Sequence, residues 1–246
     1  MVEILAYEGI SNRILLSLPQ ATLKGLRPAL ELLKTARGDF IDRADRPVEY
    51  IYFPNRGLIS VVKTMRDGRT VEIGVVGTEG VTDSHSLFGL NKAPLDAVVQ
   101  VAGTAFRIRR DALKNHMAED GALREVLEKY AIFALLAFAQ TAACNRLHHL
   151  EARCCRWLLI AHDSALSDTF PLTQEFLAMM LGVQRAGVSI AASFLQKAGL
   201  IQYRRGQVTI TNRHGLEDAA CECYGDMQTE FDKLFVVPKN ALVTEA

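Results

Sequence analysis

The stretch 172–211, LTQEFLAMMLGVQRAGVSIAASFLQKAGLIQYRRGQVTIT, constrains this chain most, because its turn signals and apolar spacings admit few arrangements. Thr173 is placed to cap a helix, its hydroxyl accepting a first-turn amide. Phe176, Leu177 and Met180 then share one helical face. Gly182 stops that helix, since glycine tolerates the left-handed backbone of a sharp exit. A second helix starts near Gln184 and buries Val188, Ala191, Ala192 and Leu195. Gly199 ends it, Leu200 and Ile201 open a strand, and residues 203–207 turn into a returning strand, Val208-Thr209-Ile210. Helix, turn, helix and a basic-tipped hairpin predict a winged helix-turn-helix.

Such a unit reads double-stranded DNA. The start of its second helix enters the major groove, which offers Gln184, Arg185 and Ser189 to the bases. Arginine forks onto guanine and glutamine suits adenine. Thr173 and Gln174 open the supporting helix, where amides and short polar side chains clamp a phosphate. Arg204 and Arg205 at the wing tip are placed over the backbone. Lys+Arg and Asp+Glu both number 28, so overall charge says nothing of nucleic acid. The distribution does: residues 146–215 hold eight basic and four acidic side chains, a local excess of +4 against −4 elsewhere. That is modest support for a phosphate-facing half.

Residues 172–201 resemble the DNA-binding motif of the Crp/Fnr family of bacterial transcription regulators: a Thr-Gln opening, Leu-Gly, a polar-Arg pair, a Val, and a Leu…Gly-Leu-Ile close. Family members often carry an Arg, an acidic residue and a further Arg along the recognition helix. This chain matches the first at Arg185 but has Ala186 and Ile190 where the others fall, so the resemblance does not carry an operator sequence with it.

The amino-terminal half supports the resemblance. Residues 12–36 read as helix, with Ile14, Leu15, Leu18, Leu23, Leu26, Leu30 and Leu33 in register, divided by Pro19 and Pro28. The period then changes. Residues 50–54, 58–65, 70–76 and 97–108 are β-rich runs between glycines, and Asp67-Gly68 is a hairpin signal. Short strands at this spacing predict an antiparallel jelly roll. It resembles the family's sensor, a cyclic-nucleotide-binding-like domain. The family's pocket uses a Gly-Glu pair for the ribose and an Arg about ten residues on for the phosphate. Here Asp83 falls near the Glu and Asp96 where the Arg belongs, and residues 70–100 contain no arginine. A carboxylate repels a phosphate, so cyclic AMP in the usual mode is disfavoured. Glu79, Thr82, Asp83, Ser84 and Asp96 are left as the candidate pocket for an unknown small-molecule effector.

Between the halves, Leu123, Leu127, Tyr130, Ala134, Ala137, Thr141 and Cys144 recur at alternating spacings of four and three. This heptad pattern predicts a helical seam. The family dimerises through a long helix at this place, and a two-fold dimer presents two recognition helices to a near-palindromic operator.

Other classes find little support. Residues 1–10 hold no basic leader and the longest uncharged apolar run, 131–144, is too short to span a bilayer, so neither secretion nor a membrane partner is expected. Five cysteines, an odd number, argue against a disulfide scaffold and for a reduced cytoplasm. No cysteine precedes Cys144, so the family's amino-terminal iron–sulfur centre has no ligands. His85 and His116 are the sensor's histidines; alone they make neither a haem ligand set nor a cupin-type metal site. Cys154, Cys155, Cys221 and Cys223 with His148 and His149 contain no CxxC pair, and no metal or cofactor is expected. No nucleophile–base pairing or phosphate loop suggests an enzyme. The expected architecture is therefore α+β. A sensor roll (1–118) leads to a dimerisation helix (119–146), a winged helix-turn-helix (147–230) and a C-terminal tail (231–246), loosely held from Val236. The expected function is a homodimeric transcription regulator that meets DNA and RNA polymerase. The alternatives are a regulator that senses redox state or metal through its cysteines, and a constitutive DNA binder with a purely structural roll.

Overall fold

The structure, a computed structural model, describes residues 9–237. Asn12 caps the first helix, α1 (Arg13–Ser17), its side chain accepting the Leu15 amide at 3.0 Å. Pro19 separates this helix from α2 (Gln20–Leu26). The end of the predicted helical stretch is not helix. Leu32 and Leu33 lie in β1 (Glu31–Thr35), paired antiparallel with residues 103–107. After Pro28 the run is too short for periodicity to separate helix from strand.

Four further strands follow: β2 (Phe40–Asp42), β3 (Tyr50–Thr64), β4 (Thr70–Val76) and β5 (Asp96–Arg109). They form one antiparallel sheet in the order β1-β5-β3-β4, with β2 also on β5. The β-runs at 50–54 and 58–65 join into the single bent strand β3, whose register with β5 shifts between Pro54 and Ile59. Gly57, at φ +90°, sits in this bend with its Cα against the Val101 carbonyl, where any side chain would collide. Gly68, at φ +85°, makes the predicted β3–β4 turn.

The chain then becomes helical through α3 (Arg110–Glu119), α4 (Gly121–Leu147) and α5 (Leu150–Ala165). Asp120 starts α4 by accepting the Ala122 and Leu123 amides at 2.9 and 3.2 Å. As a whole α4 is long enough to cross a bilayer, and over eighteen residues apolar enough (mean hydropathy 1.3), although its uncharged stretch 131–144 is not. Its inner face is already occupied. Leu123, Leu127, Tyr130 and Phe133 share a core with Ile14, Leu15, Ile51 and Phe106.

The remainder builds the winged unit: β6 (Thr169–Pro171), α6 (Gln174–Leu181), α7 (Arg185–Lys197), β7 (Ile201–Arg204) and β8 (Gln207–Ile210). The wing sheet has the order β6-β8-β7. Strand β6 carries no sequence signal, because three residues ending in proline show no alternation. Tyr203, Arg204 and Gln207 belong to the strands, leaving a turn of two residues. Two helices close the chain, α8 (Arg213–Ala219) and α9 (Cys223–Leu234). The expected tail boundary at 231 therefore falls inside α9. Phe231 and Phe235 are buried against Phe133, with Phe231 edge-on at 5.4 Å. Residues 238–246 of that tail lie outside the described residues. The winged unit is not a separate bead. Its core of Trp157, Leu177, Met180 and Val188 is continuous with Leu58, Val62 and Val101 of the roll.

Candidate nucleic-acid interface

The reading unit is built by local chemistry. The Thr173 hydroxyl accepts the Phe176 amide at 3.2 Å and opens α6. Gly182, at φ +64°, closes α6, its N–H shared between the Ala178 and Met179 carbonyls. One residue later the Val183 amide bonds the Ala178 carbonyl at 3.0 Å, which completes the exit. Helix α7 leaves at 111° to α6, within the range for helix-turn-helix units. Val188, Ala191, Ala192 and Leu195 face inward, as the spacing predicts.

The candidate DNA contacts fall into two groups. Gln184 and Arg185 are exposed at the start of α7, and Gln184 is the N-cap residue without a side-chain cap bond. Free amides and a flexible cation meet there. Arg204 and Arg205 are exposed at the wing, where Arg205 and Gly206 have φ +51° and +76°. Consecutive left-handed residues make a type I′ hairpin turn, in which Asn-Gly is the ordinary choice. An arginine there costs about 1 kcal/mol of backbone strain. The second group is already engaged. Ser189 donates to Gln174 at 2.6 Å, joining α7 to α6, and the Thr173 hydroxyl is committed to its cap. The Ser189–Gln174 bond uses the Gln174 carbonyl oxygen and the Ser189 hydroxyl hydrogen, so it orients the Gln174 side-chain amide, whose N–H groups are the donors a phosphate needs. Beyond them α7 also exposes two large apolar side chains, Ile190 and Phe194.

Side chains from three elements seat this unit on the roll. Trp157 of α5 donates its indole N–H to Glu72 of β4 at 3.0 Å, and the Ser60 hydroxyl bonds the other carboxylate oxygen. Burial pushes the Glu72 carboxyl up to about 7, against these two bonds and the nearby Arg156 charge. Arg153 bridges the helix junction to α6, donating to Asn145 at 2.7 Å and to the Leu181 carbonyl at 2.5 Å. A cavity of about 680 Å³ lies between roll and helices, lined among others by Glu72, Glu79, Arg153, Arg156 and Asp163.

The five candidate effector residues do not converge on that cavity. Only Glu79 lines it; its carboxylate accepts the Gly77 amide at 3.0 Å, and burial raises its pKa. The Thr82 hydroxyl accepts the Tyr52 amide at 3.1 Å, and Ser84 is buried in a 3-10 turn (Ser84–Phe88). Asp83, at φ +49°, turns its carboxylate inward beside Asp42, whose pKa rises to about 9 from burial first and from Asp83 second. Asp96 accepts the Ala44 amide at 2.9 Å and anchors the loop after β2. Glu79, Thr82 and Asp96 are internal fastenings of the backbone, and sequence shows such side chains without their partners.

The predicted seam also needs correction. Leu123, Leu127, Tyr130 and Cys144 are buried within their own chain, and Ala134, Ala137 and Thr141 are half-buried. The outer face of α4 carries Ile132, Leu135, Leu136, Ala139, Ala142, Ala143 and Leu147, all exposed. Between 130 and 145 the helix is apolar nearly all round, so the heptad period is real but its phase is not written in the sequence.

Comparison with known proteins agrees with this architecture. The roll matches the cyclic nucleotide-binding domain over residues 32–120, and the winged unit matches the Crp-like helix-turn-helix domain over residues 152–219. The fold and the exposed start of α7 thus define a Crp-like regulator with a helix-turn-helix DNA-binding domain. The chain is 24% identical over 223 residues to a CRP-like cAMP-activated global transcriptional regulator of Mycobacterium tuberculosis, spanning 88% of this chain and 98% of that one. Among solved structures, FixK2 from Bradyrhizobium japonicum shares the fold with TM-score 0.65 at 19% identity, covering 78% of this chain and 98% of that one. The c-di-GMP responsive regulator CLP of Xanthomonas campestris does so with TM-score 0.60 at 16% identity, covering 79% and 100%. This chain belongs to the Crp/Fnr family of transcription regulators.

Proposed function

We propose that the protein works as a homodimer on a near-palindromic operator in the cytoplasm, with α7 of each copy in the major groove and the arginine wing on the backbone. The observation that carries this reading is the open start of α7, where Gln184 and Arg185 are exposed, as are Arg204 and Arg205 at the wing. Two such starts, related by a two-fold axis and about 34 Å apart, meet successive major grooves. The dimer forms through the outer face of α4, where Ile132, Leu135 and Ala139 recur at three and four residues and small side chains permit close approach. Ala186 and Ile190 suit thymine methyl groups better than guanine acceptors, so the half-site departs from one read by charged side chains. RNA polymerase is the partner expected of a regulator seated at a promoter.

The signal acts through the roll and is not cyclic AMP held in the family's usual way. Where the resemblance places a phosphate-pairing guanidinium this chain has Asp96, a carboxylate that accepts the Ala44 amide at 2.9 Å. One relative is named for cAMP and a structural neighbour for c-di-GMP, which illustrates that this fold does not choose its ligand. The test is selection of random duplex DNA by the purified, reduced protein at physiological salt, alone and with cell extract. A palindromic motif in either arm is expected. Absence of any motif in both arms overturns the reading.

A further inference from the structure

Four side chains far apart in sequence meet where α4, α5 and α9 come together. Cys144 is in the last turns of α4, His148 is its C-cap residue, and Cys221 and Cys223 bracket the entry to α9. The Cys144 and Cys221 sulfurs are 3.5 Å apart, and the Cys223 sulfur is 3.5 Å from His148 Nδ1. One ligand atom from each of the four lies within 4.8 Å of all the others. A tetrahedral zinc ion, with bonds of about 2.3 Å to sulfur and about 2.0 Å to nitrogen, sets its ligand atoms roughly 3.5–3.8 Å apart. We propose that Cys144, His148, Cys221 and Cys223 form a Cys3His zinc site at the junction of the long helix and the DNA-binding unit.

The surroundings are those of a metal centre. The far ring nitrogen of His148 contacts the Glu222 carboxylate at 3.1 Å, leaving Nδ1 to face the thiols. A carboxylate on the outer nitrogen orients a ligating imidazole and makes it more basic. Gln140 donates to the Cys223 sulfur at 3.0 Å, a bond that stabilises a thiolate. The guanidinium of Arg156 lies beside Cys144 and offsets the net negative charge of three thiolates around a dication. Cys144 and Cys223 also line the large cavity, which gives an ion a route in. The lack of a CxxC pair is no obstacle. Cys144 and His148 are one helical turn apart on one face, and the fold supplies the other half of the site from 77 residues away.

Two other uses of the cluster fit less well. A Cys144–Cys221 disulfide leaves Cys223, His148 and the Glu222 contact without a role. An iron–sulfur cluster needs its thiolates spread around several irons, whereas a span of 4.8 Å takes a single ion. On binding, three thiols and one imidazole replace water on the zinc. Three sulfur–hydrogen bonds break, three protons go to solvent, and no electron moves. The ion then ties the end of α4, the His148–His149 bend and the start of α9 together, which fixes the angle at which the DNA-binding unit leaves the long helix.

The test uses the full-length chain, reduced, stripped with chelator and titrated anaerobically with cobalt(II) and then zinc. One cobalt per chain is expected, with the strong visible bands of a tetrahedral ion and thiolate charge transfer, both erased by one equivalent of zinc. Cys223→Ser is expected to lose about a third of the charge-transfer intensity, in proportion to the thiolates. Because that variant can misfold, Glu222→Gln provides a second reading on an exposed side chain. It is expected to weaken zinc by on the order of tenfold while the chain stays folded. Cys155→Ala, outside the cluster, should keep the spectrum. Weak octahedral bands with wild type, or an unchanged cobalt spectrum in Cys223→Ser, overturns the site. So does a Cys144–Cys221 disulfide in protein isolated without oxygen.

Discussion

Helix α4 leaves Ile132, Leu135 and Leu147 56%, 66% and 74% exposed, and helix α7 leaves Ile190 and Phe194 68% and 60% exposed. By composition the two faces look alike, but their borders differ. No charged side chain interrupts α4 between residues 130 and 145, and alanines fill the gaps between the large residues. Water gains nothing there, and a second apolar helix gains a close fit. The exposed face of α7 starts at Gln184 and Arg185 and ends at Lys197, and the same unit carries the exposed wing arginines. A cationic frame around a narrow apolar strip suits a groove walled by phosphates and floored by base edges. An exposed isoleucine is thus ambiguous until its neighbours are read.

That contrast can be broken most directly at Leu135. Leu135→Glu should give a folded monomer by sedimentation and cost roughly a thousandfold in operator affinity, since the second half-site no longer binds intramolecularly. A dimeric mutant would remove the assignment of the outer face. Tyr130 belongs to the inner face of the same helix, so Tyr130→Glu should act on folding instead. Burying an unpaired carboxylate there is expected to cost about 3–4 kcal/mol in denaturant unfolding. If Tyr130→Glu instead yields a stable monomer, the two faces have been exchanged.

On α7 the expected effects are smaller. Arg185→Ala should weaken specific binding by about 1–3 kcal/mol and relax preference at one base position, with the dimer intact. Equal loss on every sequence would make Arg185 a phosphate contact instead. Glu72→Gln tests how the DNA-binding unit sits on the roll. Its carboxyl is raised from an ordinary 4.5 to about 7, so the folded state holds a proton that the unfolded state has released. Its contribution is therefore full below about pH 4.5 and lost as pH rises through 7. The glutamine variant should melt roughly 4 °C higher than wild type at pH 8 and nearly together with it at pH 4.5. Equal melting temperatures at pH 8 would refute the shift. Arg205→Asn should show the smallest effect, with opposite signs in two measurements. Relief of the left-handed arginine stabilises folding by about 0.5–1 kcal/mol, while the salt dependence of DNA binding falls by about one phosphate contact.

Legibility followed the range of the forces. The cap at Thr173, the stop at Gly182, the buried set Val188, Ala191, Ala192 and Leu195 and a turn within residues 203–207 are decided within a few residues. All four could be read from the chain. Residues 30–33 were misread because a proline left too little sequence to distinguish two periods. Glu79, Thr82, Asp83, Ser84 and Asp96 looked like a polar pocket because sequence shows polar side chains without their partners. Backbone amides two to fifty-two residues away claim three of them.

The sequence by itself therefore determined the reading unit, the β character of the roll and the presence of a long apolar helix, because caps, turns and periodicity are local. Only the tertiary structure decided which side of that helix is core and which is free. A helix apolar on both sides has no preferred phase until something packs against it. The fold alone also brought Trp157 to Glu72 and Cys221 and Cys223 to Cys144 and His148. Contacts across some eighty residues depend on how whole elements stack, and no short-range rule encodes them.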